Sequence, residues 1–281
     1  MKTVKTISEI RAVIKEWQRS GKTVGLVPTM GFLHEGHCSL ITRSAAENDK
    51  TVVSIFVNPM QFSPGEDLEA YPRDMARDTD MCGKSGADII FAPDPEEMYH
   101  GDFYSYVDMS VVTDGLCGRS RTNMFRGVCT VVSKLFNITT PDRAYFGKKD
   151  AQQLAVIGQM VKDLDFDIEI VGCDCVREAD GLAKSSRNSY LSDGERAVAP
   201  KIYKALQQVK KLAQCGEYHS SVLTESFFRS MKDEPVFTTE YAEVVDGLTM
   251  QRVEQIKGDG TCIMAVAVKL GKARLIDNIE L

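Results

Sequence analysis

Hydrophobic and polar positions alternate along the first two thirds of the chain in blocks that fit strands and helices in turn. Near-continuous apolar runs are typical of strands buried on both faces of a parallel sheet, and apolar residues three and four apart are typical of a buried helix face. The predicted strands cover residues 23–27, 51–58, 87–91, 144–146 and 167–171. The predicted helices cover residues 36–48, 67–84, 125–136 and 151–164, and residues 1–9 resemble the start of a further amphipathic helix.

The pattern changes after about residue 175. Residues 176–188 are polar and loop-like, helices are predicted at 193–214 and 220–231, and strands at 237–245, 261–269 and 273–276. Repeated β-α-β units in the first part predict an α/β fold with a Rossmann-like, doubly wound parallel sheet. We therefore predict two domains, a Rossmann-like domain over 1–175 and a smaller α/β domain over 176–281.

Composition narrows the class of protein. The 281 residues carry a formal net charge of −6, with 43% hydrophobic and 26% charged residues. This acidic balance argues against nucleic acid as the main partner, and the chain has no signal peptide or membrane-spanning run, so we predict a cytoplasmic protein. The eight cysteines lack a paired metal spacing, which favours reduced core thiols over a zinc site.

The turn after the first predicted strand contains two histidines three residues apart, His34 and His37, with Gly36 directly before the second. A helix that begins here would direct its unpaired N–H groups and positive dipole end toward a phosphate chain. The two imidazoles would donate hydrogen bonds to developing phosphate charge. The alternative is two surface histidines at a helix start.

A second motif, Lys184 to Arg187, places two hydroxyls between two cations on the loop at the predicted domain junction. Such a loop can wrap a triphosphate, and the alternative is a solvated linker. In this order the two motifs resemble those of the nucleotidylyltransferase superfamily, whose members attack the α-phosphate of ATP and release pyrophosphate.

The resemblance becomes narrower over five segments, 28–37, 54–62, 71–74, 146–153 and 180–188. Together they resemble the pantothenate synthetase family over nearly the whole chain. This resemblance implies that (R)-pantoate and ATP form pantoyl adenylate with release of pyrophosphate, and that β-alanine then attacks to give pantothenate and AMP. It also implies a homodimer, and the chemistry calls for Mg²⁺ with the nucleotide.

The resemblance assigns ATP binding to four parts of the chain. They are Met30, Gly31, Phe32, Leu33, His34, Glu35, Gly36 and His37; Gly147, Lys148, Lys149 and Asp150; Val176, beside the adenine; and Lys184, Ser185, Ser186 and Arg187. The residues given catalytic roles are His37 as proton donor, His34 and Lys149 at the phosphates, and Ser185, Ser186 and Arg187. The smaller domain is expected to act as a lid that excludes water from the adenylate.

The acceptor substrate has its own candidate residues. Gln61 and Gln153 match the pantoate-binding glutamines of the family, and Gln61 is also expected near β-alanine. Asn58 is predicted either to assist them or to cap the turn before Pro59. Asp78 is a candidate Mg²⁺ ligand, with an exposed helix acid as the alternative.

The chain departs from the family pattern at three places. Residues 121–125 read Arg-Thr-Asn-Met-Phe where most relatives have Arg-Pro-Gly-His-Phe, and Lys148 and Lys184 replace residues that are usually uncharged or acidic. Two rival interpretations stay open. One is an adenylyl transferase of the phosphopantetheine adenylyltransferase type, and the other is a catalytically idle nucleotide-binding protein.

Overall fold

The computed structural model describes residues 1–63, 65–232 and 234–281, and these form two compact units. The first unit comprises residues 1–109, 121–148 and 156–174, and the second comprises 110–120, 149–155 and 175–281. The predicted division after residue 175 had assigned the short segments 110–120 and 149–155 to the N-terminal domain. In the structure they belong to the second unit.

The first unit is built on a six-stranded sheet in which every neighbouring pair of strands is parallel. The strands are β1 (Lys2–Val4), β2 (Val24–Thr29), β3 (Lys50–Ile55), β4 (Ile89–Phe91), β5 (Arg143–Gly147) and β6 (Glu169–Cys173), in the spatial order β1-β4-β3-β2-β5-β6. The predicted doubly wound α/β fold is therefore confirmed.

Helices connect the strands, and they include the four that the periodicity predicts over 36–48, 67–84, 125–136 and 151–164. They are α1 (Ile7–Arg19), α2 (Glu35–Glu47), α3 (Met75–Ser85), α4 (Pro95–Met98), α5 (Leu116–Ser120), α6 (Met124–Thr139) and α7 (Ala151–Asp163). Val27 and Val53 on one face of the sheet pack with Ile41 of α2 and Cys82 of α3 in a single buried cluster. The outward-facing side of α2 and α3 can stay polar because this one stripe is buried.

Two predicted elements of this unit are wrong in extent. Residues 2–4 form a strand rather than the start of a helix, because Val4 is buried where β1 pairs with β4, and the helix begins only after the capping residue Thr6. The helix predicted from residue 67 begins at Met75, where Asp74 caps it by accepting the N–H of Arg77 at 3.0 Å. Pro72, just upstream, disfavours an earlier start.

The second unit packs helices on a three-stranded antiparallel sheet. Its remaining elements are α8 (Asp193–Val198), α9 (Lys201–Gln214), α10 (Ser220–Met231), β7 (Phe237–Asp246), β8 (Cys262–Leu270) and β9 (Ala273–Glu280). Leu206 of α9 and Phe227 of α10 are fully buried against Met264 and Val266 of β8. The single helix predicted over 193–214 is divided into α8 and α9 near Pro200, which has no N–H for an intrahelical bond.

Within the described ranges, none of the helices combines the length and the apolar character that crossing a membrane requires.

Candidate active site

The loop that follows β2 lies where the strand order of the sheet reverses. β2 pairs with β3 on one side and with β5 on the other, and all three strands run parallel. Ligands of doubly wound sheets bind in the crevice outside the carboxyl ends of strands at such a point. Residues 30–34 leave β2 at that end and lead directly into α2.

Asp78 of α3 fixes the shape of this loop. Its carboxylate, only 1% exposed, accepts hydrogen bonds from the main-chain N–H groups of Phe32 at 2.8 Å and Leu33 at 2.7 Å. Gly31 and Phe32 both adopt positive φ, +83° and +49°, and a Cβ at Gly31 would lie 3.0 Å from Asp78 Oδ2. Burial raises the pKa of the Asp78 carboxyl, and the N–H groups of Leu33 and Phe32 offset part of that rise.

The rings of His34 and His37 close the first turn of α2. Nδ1 of His34 accepts the N–H of Gly36 at 3.1 Å, and Nδ1 of His37 accepts the N–H of His34 at 3.2 Å, in the pattern of a capping box. The ring centroids lie 4.0 Å apart. A neutral imidazole whose Nδ1 accepts a hydrogen bond carries its hydrogen on Nε2. Both rings therefore present Nε2–H donors, and the N–H of Gly36, expected to face phosphate, is engaged by His34 instead.

Gln61 lies at the end of a short 3₁₀ turn, Pro59–Gln61, that follows β3. Asn58, 1% exposed, caps this turn by accepting the N–H of Met60 at 3.3 Å. Its Nδ2 also donates to Gln61 Oε1 at 3.1 Å, and Gln61 Nε2 donates to Met30 Sδ at 3.0 Å. The structure thus places the predicted pantoate ligand Gln61 beside the predicted ATP-binding loop. Asn58 has the predicted capping role and also bonds to Gln61, and its assistance in pantoate binding stays a prediction.

The atypical segment 121–125 contacts the same turn. Arg121 pairs with Glu66 through Nε at 2.6 Å and Nη2 at 2.7 Å, and Nη2 also donates to the carbonyl of Gln61 at 3.2 Å. Met124 begins α6, and its sulfur accepts a hydrogen bond from Arg121. The arginine that this chain shares with the family pattern therefore holds the main chain of Gln61 without the usual proline and histidine.

In the second unit, Lys149 and Ser185 line one cleft of about 290 Å³, a volume that includes space open to solvent. The other lining residues are Leu182, Ala183, Asn188, Ile202, Leu275, Ile276 and Asp277. Lys149 Nζ lies 3.8 Å from Asp150 Oδ2, and Ser185 caps the 3₁₀ turn Ser186–Tyr190 by accepting the N–H of Arg187 at 3.3 Å. Two predicted phosphate ligands from distant parts of the chain are therefore neighbours.

The loop of residues 184–187 has a rigid base. Arg177 forms two hydrogen bonds to the buried carboxylate of Asp277, at 2.7 and 2.9 Å, and its guanidinium lies 3.6 Å from the ring centroid of Tyr203. Arg177 also forms an antiparallel bridge with Ala183, and Gly181 at the tip has φ +98°. The polar stretch predicted as a plain loop is thus a tight hairpin anchored to β9.

The two unusual cations are both paired. Lys148 Nζ lies 2.9 Å from Asp174 Oδ1 in the first unit, and Lys184 Nζ lies 2.8 Å from Glu178 Oε2 in the second. The N–H of Lys184 also donates to the carbonyl of Val176 at 2.9 Å.

The two glutamines at the start of α7 differ in environment. Gln153, the predicted pantoate ligand, is half-buried. Gln152 is buried: its Oε1 accepts the N–H of Cys117 at 2.9 Å, and its Nε2 donates to the carbonyls of Val112 at 3.0 Å and Gly115 at 2.9 Å. Sequence reasoning missed Gln152, because one sequence shows no difference between a glutamine that binds main chain and one that binds substrate.

The described residues contain no group of three or more histidine, cysteine, aspartate or glutamate side chains arranged to hold a metal. Both oxygens of Asp78 already accept main-chain N–H groups, and its burial excludes the alternative of an exposed helix acid. Metal binding by Asp78 stays a prediction.

A doubly wound sheet with an H-x-G-H turn at its switch point, together with a K-S-S-R loop, defines the class of nucleotidylyltransferase-like enzymes. The sequence profile of the family described as pantoate-beta-alanine ligase matches residues 2–280. The chain belongs to this family.

Curated relatives match this chain along its whole length. The pantothenate synthetase of Clostridium acetobutylicum is 53% identical over 278 residues, which cover 99% of this chain and 98% of the relative. That of Ruminiclostridium cellulolyticum is 53% identical over 280 residues, which cover 100% and 99%.

Two solved structures are similar to this fold. Pantothenate synthetase from Thermus thermophilus superposes with a TM-score of 0.94 at 42% identity, over 100% of this chain and 99% of that one. Pantoate-beta-alanine ligase from Francisella tularensis, complexed with beta-gamma ATP and beta-alanine, gives a TM-score of 0.82 at 31% identity, over 100% and 97%.

Proposed function

We propose that the protein condenses (R)-pantoate with β-alanine in a reaction driven by ATP. A carboxylate oxygen of pantoate attacks the α-phosphorus of ATP, the bond to the β-phosphate oxygen breaks, and pyrophosphate leaves. The amine of β-alanine then attacks the acyl carbon of pantoyl adenylate, loses a proton, and displaces AMP as pantothenate forms. Membership of the family is the observation that carries this proposal.

The imidazoles of the α2 turn would supply electrostatic stabilisation in the first step. Charge moves onto the phosphoryl oxygens as pyrophosphate departs, and donors fixed in advance stabilise that charge without reorganisation. His34 and His37 have their Nδ1 atoms tied to main-chain N–H groups, so their Nε2–H donors are held in place before ATP binds. Lys149, Ser185, Ser186 and Arg187 would bind the phosphates.

The side-chain amides would recognise pantoate. Gln61 has its Oε1 engaged by Asn58, so its NH₂ group is the end available to a hydroxyl or carboxylate oxygen. Gln153 would provide a second amide, and Gln61 would also lie near β-alanine. Mg²⁺ is expected to arrive with the ATP phosphates, and no step here depends on a protein ligand for it. A homodimer and a cytoplasmic location stay predictions.

Pyrophosphate release can be measured in two stages, before and after β-alanine is added. With ATP and pantoate alone, enzyme-bound adenylate should form with one pyrophosphate per site, and β-alanine should then start turnover with equal yields of AMP and pantothenate. His37→Ala should slow the first stage by about a hundredfold, because it removes a donor to developing charge. His100→Ala, on the exposed surface, is the matched control.

Either of two results would contradict the proposal. Absence of pantoate-dependent pyrophosphate release would exclude the ligase. A product that retains the AMP moiety after β-alanine is added would indicate an adenylyl transferase instead.

A further inference from the structure

Tyr99, the residue directly after α4, donates its phenolic hydrogen to Asn58 Oδ1 at 2.8 Å. The direction of this bond follows from chemistry, because an amide oxygen can only accept. The ring lies between Phe56 and Phe103, with centroid distances of 6.0 and 5.1 Å. Burial raises the pKa of Tyr99, so the phenol keeps its hydrogen at neutral pH.

All hydrogen-bonding positions of the Asn58 amide are occupied. Its oxygen accepts from Tyr99 and from the N–H of Met60, and its nitrogen donates to the carbonyl of Gly127 at 3.0 Å and to Gln61 Oε1 at 3.1 Å. If the amide rotated by 180° and exchanged its oxygen and nitrogen, the nitrogen would face two donors, from Tyr99 and Met60. The oxygen would then face two acceptors, from Gly127 and Gln61. The bond from Tyr99 has the usual O–H···O length, whereas the bond from Met60, at 3.3 Å, is longer than the usual N–H···O range, so Tyr99 is the better-formed donor to this oxygen.

The orientation passes from Asn58 to Gln61. Because Gln61 Oε1 accepts from Asn58, Gln61 must present its NH₂ group at the other end, where it reaches Met30 Sδ at 3.0 Å. A free glutamine side chain would offer an oxygen or an amide hydrogen equally well. The hydrogen bonds from Tyr99 to Asn58 and from Asn58 to Gln61 fix which end of the Gln61 amide is the donor.

We propose that Tyr99 is a positioning residue for pantoate, which it never touches. Its hydroxyl fixes the amide of Asn58, which in turn fixes Gln61 as a hydrogen-bond donor toward the oxygens of pantoate. This inference rests on the proposed function, since it takes Gln61 as a pantoate ligand.

The test compares two variants that each remove one hydrogen-bonded tyrosine hydroxyl. Tyr99→Phe keeps the ring and its packing, so the fold is retained while the donor is lost. We expect the KM for pantoate to rise about fivefold, since one hydrogen bond to a neutral group is lost, while the KM for ATP stays within about twofold. Tyr145→Phe is the matched control: its buried hydroxyl accepts from Asn48 at 2.7 Å and donates to Glu47 at 2.9 Å, away from Asn58.

Tyr145→Phe should lower the thermal stability at least as much as Tyr99→Phe, because it loses two hydrogen bonds, one of them to a carboxylate. Only Tyr99→Phe should change the KM for pantoate. An unchanged KM for pantoate in Tyr99→Phe, or equal rises in the KM values of pantoate and ATP, would overturn the inference. If the wild-type protein released no pyrophosphate in response to pantoate, the proposed function itself would be excluded. The two failures are therefore distinguishable.

Discussion

The hydrogen bonds of single side chains decide which atoms of the loop after β2 face a ligand. His34 and His37 accept main-chain N–H groups through Nδ1, which leaves Nε2–H as the donor of each ring. That assignment requires the main chain to pass through positive φ at Gly31 and Phe32. Asp78 stabilises this path, because its buried carboxylate accepts the N–H groups of both Phe32 and Leu33.

Replacing this carboxylate by an amide should loosen the loop. Asp78→Asn directs an NH₂ group at the N–H of Phe32 or Leu33, so we expect the free energy of unfolding to fall by about 1–2 kcal/mol. Adenylate formation should slow as well, because His34 directly follows Leu33 and would lose its fixed position. Asp80→Asn is the control: Asp80 lies on the same helix, is exposed, and pairs with Lys84 at the surface. Urea unfolding would measure the change in stability of both variants, and single-turnover assays would measure their rates of adenylate formation. Equal effects in both variants would argue against this role of Asp78.

The sequence could predict the histidines of this site but not the carboxylate that fixes the loop before them. The His34–His37 spacing indicates a helix N-terminus because both residues lie within one turn. Asp78 bonds to residues 45 and 46 positions away in sequence, and no local pattern shows such a contact. Asn58 is the intermediate case, since its capping role follows from the adjacent Pro59 whereas its bond to Gln61 depends on the exact shape of the turn.

At the scale of elements, α6 packs unusually closely on the turn that carries Gln61. A Cβ at Gly127 would overlap the carbonyl of Met60 and lie 2.6 Å from the nitrogen of Gln61. The carbonyl of Gly127 also accepts a hydrogen bond from Asn58. Glycine is therefore required in the first turn of α6, although it lowers helix propensity there.

Gly127→Ala should consequently move this turn or the helix. We expect the free energy of unfolding to fall by about 2 kcal/mol or more and the KM for pantoate to rise, because backbone atoms must shift to admit the methyl group. Gly158→Ala in α7 is the opposite case, since a Cβ there meets nothing within 4 Å, and it should stabilise by about 0.5–1 kcal/mol. Calorimetry of both variants checks the pair. A stabilising effect of Gly127→Ala would show that α6 can accept a methyl group beside the turn that carries Gln61.

The elements themselves were predicted well where periodicity is strong and poorly where a single residue decides. The strands of the parallel sheet other than β1 were recognised from their apolar runs. The start of α3 depends on Asp74 and Pro72, and the break between α8 and α9 depends on Pro200, so patterns averaged over many positions missed both. β1 forms because β4 offers it an edge, which is a tertiary effect.

At the scale of the whole molecule, each unit has its own buried cluster and its own buried cysteines. All eight cysteines are free thiols, five of them are buried, and Cys215 is exposed. Cys82 and Cys129 lie in the first unit, where burial raises the pKa of each to about 12, and Cys262 is buried in the core of the second. A thiol with such a pKa is almost wholly protonated at pH 8, and only the thiolate reacts with alkylating agents.

The pH dependence of stability follows from the same shift. In the unfolded chain the thiols of Cys82 and Cys129 return to a pKa of about 8.5 and release their protons above that pH. In the folded chain the same two thiols keep their protons at that pH. Their contribution to stability is therefore complete below about pH 8.5 and decreases as the pH rises toward 12.

Alkylation by iodoacetamide at pH 8 in increasing urea can report the unfolding of each unit separately. Cys215 should react without urea, whereas Cys82, Cys129 and Cys262 should react only as the chain unfolds. The chain passes between the units five times, after residues 109, 120, 148, 155 and 174, and α7 has residues in both. Because the segments of the two units alternate along the chain, we expect the units to unfold together and the three buried thiols to share one urea midpoint in peptide mass spectra. A lower midpoint for Cys262 than for Cys82 would show that the second unit unfolds on its own, and the interleaved segments would then contribute little to cooperativity.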